Sequence, residues 1–270
     1  MAQRSIWKGT ISFGLVAIPA KLYTATEDKR VNFHQVHREC MTRIKMPRWC
    51  PTCERMLEGT EIQKVYELAE NQYIPFEDAD FESLPLKSLK VIEVESFVEP
   101  GGLDPRVFEK SYYLIPEDVG LKAFQLLRLA MEKKGLCAVA KLTYREREHL
   151  AIVRPYDRGM LLQTLYYADE LRSVDFSVLN QQAMISEKEM SSAMALLEAM
   201  TPINRGFDLS QYHDDYREAL YKLIEAKMEG KAITALAAPE ATSAIDLDAA
   251  LQASIEAIAK RAWEREEAKA

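Results

Sequence analysis

Two periods of apolar residues alternate along the chain. The segment 7–24, WKGTISFGLVAIPAKLYT, mixes β-branched and aromatic residues with Gly9, Gly14 and Pro19 and predicts two strands divided by a turn. Residues 62–67 predict another strand, and 76–90 read as acidic loops punctuated by Pro75 and Pro85. KVIEVESFV at 90–98 alternates apolar and polar positions, the signature of a half-buried strand; SYYLI at 111–115 predicts an aromatic strand stopped by Pro116. The period then changes. Over 117–134, Val119, Phe124, Leu127, Leu129 and Met131 recur among Lys, Gln and Glu, and Gly135 ends an amphipathic helix. Strands return as CAVAKLTY (137–144), HLAIVRPY (149–156) and MLLQTLYY (160–167), with short polar links that favour antiparallel hairpins. Such a meander is the material of a barrel or a sandwich.

From 186 onward the helical period holds. Ser186 and Glu189 form a capping box ahead of MSSAMALLEAM. A second helix is expected to start at Ser210, with Tyr216, Leu220, Leu223, Ile224 and Met228 on one stripe and Gly230 closing it. Residues 231–243, KAITALAAPEATS, are small and weakly patterned and read as a linker. A last amphipathic segment places Leu247, Leu251, Ile255 and Ile258 on one helical face, suited to a groove on a partner or to the chain's own surface. The chain therefore reads as β-rich to about residue 175, then as a helical arm, then as a short tethered helix, with no internal repeat.

Composition narrows the class. Of 270 residues, 48% are hydrophobic and 29% charged, as in ordinary globular proteins. No apolar run approaches the ~20 residues that span a bilayer, and the first residues lack a signal-peptide pattern. Both point to the cytoplasm. The net charge of −7 argues against nucleic acid until it is resolved along the chain. Residues 1–60 carry ten Lys/Arg against five Asp/Glu, and 121–160 carry nine against four; the acidic excess lies in 61–120 and 161–270. Phosphate is bound by local charge rather than by the total, so two basic blocks leave DNA open as a ligand.

Three of the four cysteines crowd into fourteen positions. His37-x2-Cys40 is followed by Cys50-x2-Cys53, with Pro51 stiffening the second pair. Two ligands two residues apart can meet one ion from one tight turn, so this set predicts zinc, with His34 as an alternative donor. Four protein donors leave no open position, which makes such a site structural rather than catalytic. Arg38, Arg43, Lys45, Arg48 and Arg55 stud the same segment and suit phosphate contact. Arg145, Arg147, Arg154 and Arg158 lie at or beside the ends of the predicted hairpin strands, with alternation placing Arg145 and Arg147 on one side. Cys137 opens an apolar strand and reads as a core residue. No GxxxxGK[ST], GxGxxG, HExxH or GxSxG motif is present, so an enzyme is not expected. A zinc-ribbon scaffold that recruits proteins and a metal-dependent nuclease are the competing classes.

Several blocks, in order, resemble the prokaryotic Ku family along nearly the whole chain: IWKGTISFGLVAIPAKLYTATED, FHQVHREC with CPTC, KSYYL at 110–114, REHLAIVRP at 147–155 and YHDDYREALYKLIEAKMEG at 212–230. The resemblance implies a mixed β/α fold. A Ku-type β-barrel core would occupy 1–180, with a bridge insertion of atypical zinc-ribbon type beginning at about 31–60. A helical dimerisation arm would occupy 181–230, a linker 231–243 and a ligase-recruiting helix 244–270. It implies a ring-shaped homodimer that binds double-stranded DNA ends without sequence preference in non-homologous end joining. The same resemblance implies recruitment of a multifunctional ATP-dependent DNA ligase by Leu247, Leu251, Ile255 and Ile258. DNA contacts are expected from Lys8, Lys21, Arg38, Arg43, Lys45, Arg48, Arg145, Arg147 and Arg154. Localisation would be cytoplasmic, at the nucleoid. Many members continue into a lysine-rich tail; this sequence ends at Ala270 with mixed charge, so the properties of such a tail are not expected.

Overall fold

A computed structural model describes residues 4–84, 90–145, 147–180, 184–201, 206–230 and 247–267. The chain separates into two compact units, residues 1–173 and 174–270.

The first unit is built on a closed seven-stranded barrel. In chain order its elements are β1 (Trp7–Phe13), β2 (Val16–Thr24), β3 (Trp49–Cys50), β4 (Arg55–Met56), β5 (Lys64–Ala69), β6 (Gln72–Phe76), α1 (Asp78–Glu82), β7 (Val91–Val98), β8 (Phe108–Pro116), α2 (Leu121–Lys134), β9 (Cys137–Tyr144), β10 (Arg147–Tyr156) and β11 (Gly159–Leu165). The barrel order is β1-β2-β8-β11-β10-β9-β7, and it closes where β7 pairs with β1 in parallel. Every other pair around the barrel is antiparallel. The two small ribbons, β3–β4 and β5–β6, both fall between β2 and β7 and so form an insertion outside the barrel.

Alternation fills the interior. Ile18, Ala20 and Leu22 from β2, Ala138, Ala140 and Leu142 from β9, Ala151 and Val153 from β10, and Met160 and Leu162 from β11 are buried in one cluster. The cluster mixes small alanines with larger Leu, Ile and Met. Helix α2 adds Phe124, Leu127 and Met131 to that same cluster, at three- and four-residue steps. Gly135 ends it in a left-handed conformation, as its position in the sequence predicts. A second cluster lies on the outer face, where Cys137, Ile152 and Leu165 are covered by Leu103, Val107 and Phe108. Cys137 is thus a core residue; its thiol donates to Val98 O at 3.3 Å, and burial pushes its pKa up.

The second unit contains α3 (Glu187–Met200), α4 (Asp215–Met228) and α5 (Leu247–Glu267). The capping box at α3 forms as its spacing predicts: Ser186 Oγ accepts from Glu189 N at 3.2 Å and Glu189 Oε2 accepts from Ser186 N at 2.7 Å. Helix α4 differs from expectation. Its cap is Asp214, which accepts from Arg217 N at 3.0 Å, while the hydroxyl of Ser210 is taken by Asp208 at 2.7 Å. The expected linker, 231–243, lies outside the described residues, as does the side chain of Leu247. The stretch read as acidic loops also differs: it opens on the last residue of β6 and contains α1, where Glu77 N donates to Asp80 Oδ2 at 2.8 Å.

Candidate nucleic-acid interface

The insertion carries both cysteine-containing pairs, and each pair is wrapped in its own tight turn. Val36 bridges Arg43 around His37 and Cys40; His37 N donates to Thr42 O at 2.9 Å and Met41 N to His37 O at 2.8 Å. In the second turn, Trp49 pairs with Met56 and Cys50 with Arg55, and Leu57 N donates to Arg48 O at 2.8 Å. The two turns share a further feature. The residue immediately after each second donor, Met41 or Glu54, is left-handed, with φ of 54° and 47°. A non-glycine residue held there twice, at equivalent places, marks two copies of one knuckle geometry.

Inside each knuckle the donors meet. His37 Nδ1 lies 3.1 Å from Cys40 Sγ, and Cys50 ends β3 while Cys53 lies in the turn that joins β3 to β4. The Cys40 thiol is lowered to about 7, first by Thr42 and then by His37. The Cys50 thiol is lowered by backbone and side-chain bonds from Cys53, whose own thiol is raised in return. Easier deprotonation is what a thiolate donor to a metal needs. The donor types and the knuckles fit zinc pair by pair. The structure does not bring the pairs together: among the described residues, no three or more His, Cys, Asp or Glu are grouped so that they could hold a metal ion. His34, the alternative donor, receives Arg43 Nη2 at 3.0 Å.

The expected cations occupy two settings. On the insertion, Arg38, Arg43, Lys45 and Arg48 are exposed. Arg55 in the same segment is committed internally, clamped on Glu61 by two bonds of 3.0 and 2.6 Å. On the barrel, Lys8 and Lys21 are register partners across β1–β2 and share one carboxylate oxygen of Glu117, at 2.9 and 3.2 Å. Arg147 is paired with Glu170. Arg154 lies over the ring of Phe108, with its Nε buried and without a hydrogen bond. Arg145 occupies the β9–β10 turn with φ of 55° and stacks on Tyr144, so strand alternation does not relate it to Arg147.

A polar cluster that the sequence did not reveal sits where β8 and β11 slip register between Gln163 and Leu165. Thr164, 2% exposed, accepts from Lys110 N at 3.2 Å and donates to Glu109 Oε2 at 3.1 Å, which satisfies a backbone group that the bulge leaves unpaired. His149 Nδ1 stands 3.8 Å from the same Glu109 oxygen. Burial lowers the His149 pKa more than Glu109 raises it. A histidine with a depressed folded pKa stabilises the fold above its unfolded value of 6.5, and that contribution is lost as pH falls from there through the folded value. The barrel is therefore expected to lose thermal stability between pH 7 and 5.5, and His149→Gln to lose less; scanning calorimetry at both pH values measures the difference.

Comparison with known proteins bears on the whole chain. The Ku70/Ku80 beta-barrel domain matches residues 12–192. The chain is 42% identical over 258 residues to the non-homologous end joining protein Ku of Symbiobacterium thermophilum, across 95% of this chain and 63% of that protein. It is 40% identical over 257 residues to the protein of the same name from Archaeoglobus fulgidus, across 94% of this chain and 99% of that one. The Bacillus subtilis protein of that name is 38% identical over 256 residues, across 93% and 81%. The chain thus spans less than two thirds of one relative and nearly all of another. With its closed barrel, its inserted ribbons and matches of this extent, the chain belongs to the Ku family.

Proposed function

We propose that this chain binds the ends of double-stranded DNA without sequence preference, as a homodimer that encloses the duplex, and serves non-homologous end joining repair in the cytoplasm, at the nucleoid. The observation that carries the reading is the family match across the barrel and into the helical unit. The exposed cations of the insertion support it, because phosphate contacts position a duplex without reading its bases. A closed ring is loaded from an end, so its end preference is topological. The protein makes and breaks no bond in this role. No helix among the described residues is long and apolar enough to cross a membrane.

His37, Cys40, Cys50 and Cys53 would hold a structural zinc ion. When bound, the metal supplies cross-linking of the two knuckles and, with four protein donors, no site for a reacting water. Dimerisation is supported by unfilled apolar surface. Helices α3 and α4 bury none of their residues fully, and Met194, Leu197, Tyr216 and Met228 are well exposed. On the barrel unit, Phe13, Val16, Phe97, Leu126 and Met131 line an apolar cleft of about 480 Å³. Surfaces of this kind are stabilised by a second copy. The apolar face of α5 would engage the ATP-dependent ligase as a helix laid into a groove.

One plasmid, relaxed-circular or linearised, tests the reading in a gel shift at moderate salt. Linear DNA is expected to be retarded at least tenfold more strongly. Equal retardation removes the threaded ring, and retardation of neither form removes DNA binding altogether.

A further inference from the structure

Helix α5 packs along α3 within the helical unit. Asp248, its second residue, accepts from Ser192 Oγ at 2.7 Å and pairs with Lys188 Nζ at 2.7 Å, and its side chain is only 15% exposed. Gln252 Nε2, one turn on, also bonds Asp248, at 3.2 Å. The half-covered positions of α3 are Glu189, Ser192, Ala193 and Leu196, a stripe at three- and four-residue steps. Those of α5 are Asp248, Ala250, Leu251, Ile255 and Ile258. Leu251, Ile255 and Ile258 are therefore the side chains that α5 turns inward, while Gln252, Ser254 and Glu256 are exposed. A second apolar stripe of α3, Met190, Met194 and Leu197, lies roughly a third of a turn away and remains open.

We propose that α5 is clasped onto α3 of its own chain through Asp248, Ser192 and Lys188, and that the clasp masks the apolar face by which a ligase is recruited. The inference rests on the recruiting role given to α5 above. One face of a helix is buried against one surface at a time, so the ligase must take the place of α3. Its apparent affinity is then reduced by the fraction of chains whose α5 is free. The open stripe of α3 leaves a second copy room to pack on the same helix that holds α5, so the two contacts need not exclude each other. Lys188 and Ser192 lie on α3, so changing them releases α5 without altering the recruiting face.

The test uses the full chain, two α3 variants, Lys188→Asp and Ser192→Arg, and the purified ATP-dependent end-joining ligase of the same source as probe. Hydrogen exchange at amides 250–258 reports the clasp alone. Protection is expected in the unaltered chain, to be lost in both variants, and to return in Lys188→Asp with Asp248→Lys. Ligase affinity is expected to rise at least fivefold in both variants. Unprotected amides in the unaltered chain overturn the clasp and leave the recruiting role untouched. Protection that is lost without a gain in ligase affinity, while Leu251→Asp still abolishes binding, overturns the masking. If Leu251→Asp leaves ligase binding intact, the recruiting role itself fails, and the masking with it, although the exchange data still report the clasp.

Discussion

Gly9→Ala is expected to lower the melting temperature of the barrel unit by about 6–12 °C, equivalent to roughly 3 kcal/mol. Gly9 stands in β1 between Trp7 and Ile11, at the seam where the barrel closes. A Cβ there would meet the carbonyl oxygen of Lys90 at 2.2 Å and the indole ring of Trp7 at 2.4 Å. The ring can shift, but the carbonyl cannot do so cheaply: Lys90 O accepts from Thr10 N at 3.0 Å and leads into β7, the parallel partner of β1. Relief would have to come from opening the one contact that makes the sheet a barrel. Gly101→Ala is the control, because a Cβ there has no neighbour within 4 Å; a change of at most about 0.5 kcal/mol is expected. Thermal unfolding of both variants measures the difference. A Gly9→Ala protein as stable as its parent would mean that β1 and β7 do not meet as described.

Cys50→Ala is expected to bring zinc content from about one ion per chain to near zero, and to weaken binding to linear DNA at least tenfold. The insertion has little apolar interior of its own. Between residues 31 and 60 no residue is buried, and Phe33, Met41, Met46, Trp49 and Met56 are exposed. Such a segment is held by turns and, in this reading, by metal. Structural zinc contributes on the order of 10 kcal/mol in small zinc-dependent folds, far more than the turns provide. The exposed cations of the same segment depend on that frame for their positions. Cys137→Ala should leave zinc content unchanged, since Cys137 is buried on the barrel's outer face. Metal analysis and a binding titration check both variants. A parent protein that binds DNA ends while carrying no zinc would show that the knuckles fold without a metal.

The elements legible from sequence are those whose cause is local. Helix α2 ends at Gly135 because a left-handed residue is needed there, and α3 starts at Ser186 because its partner Glu189 is three residues away. Each knuckle was legible for the same reason: two donors, one turn. The start of α4 was misplaced because two competent caps stand four residues apart. The choice fell to Asp214 once Asp208 had engaged Ser210. The ion pairs of the barrel were not legible. Glu117 reaches Lys8 across 109 residues and Lys21 across 96, and Glu170 reaches Arg147 across 23.

By itself the amino-acid sequence determined the order of the seven barrel strands and of α2 to α5, the paired donors, the concentration of cations beside them and, through its resemblance, the family. These depend on side-chain period, turn chemistry and composition, which act over a few residues. Only the tertiary structure decided that β7 returns to pair with β1, that Gly9 must lack a side chain there, that Thr164 satisfies a bulge, and that α5 turns its apolar face onto α3. Hydrophobic burial does not specify which surface an apolar stripe meets, and strand edges far apart in the chain pair only once the rest of the sheet has placed them.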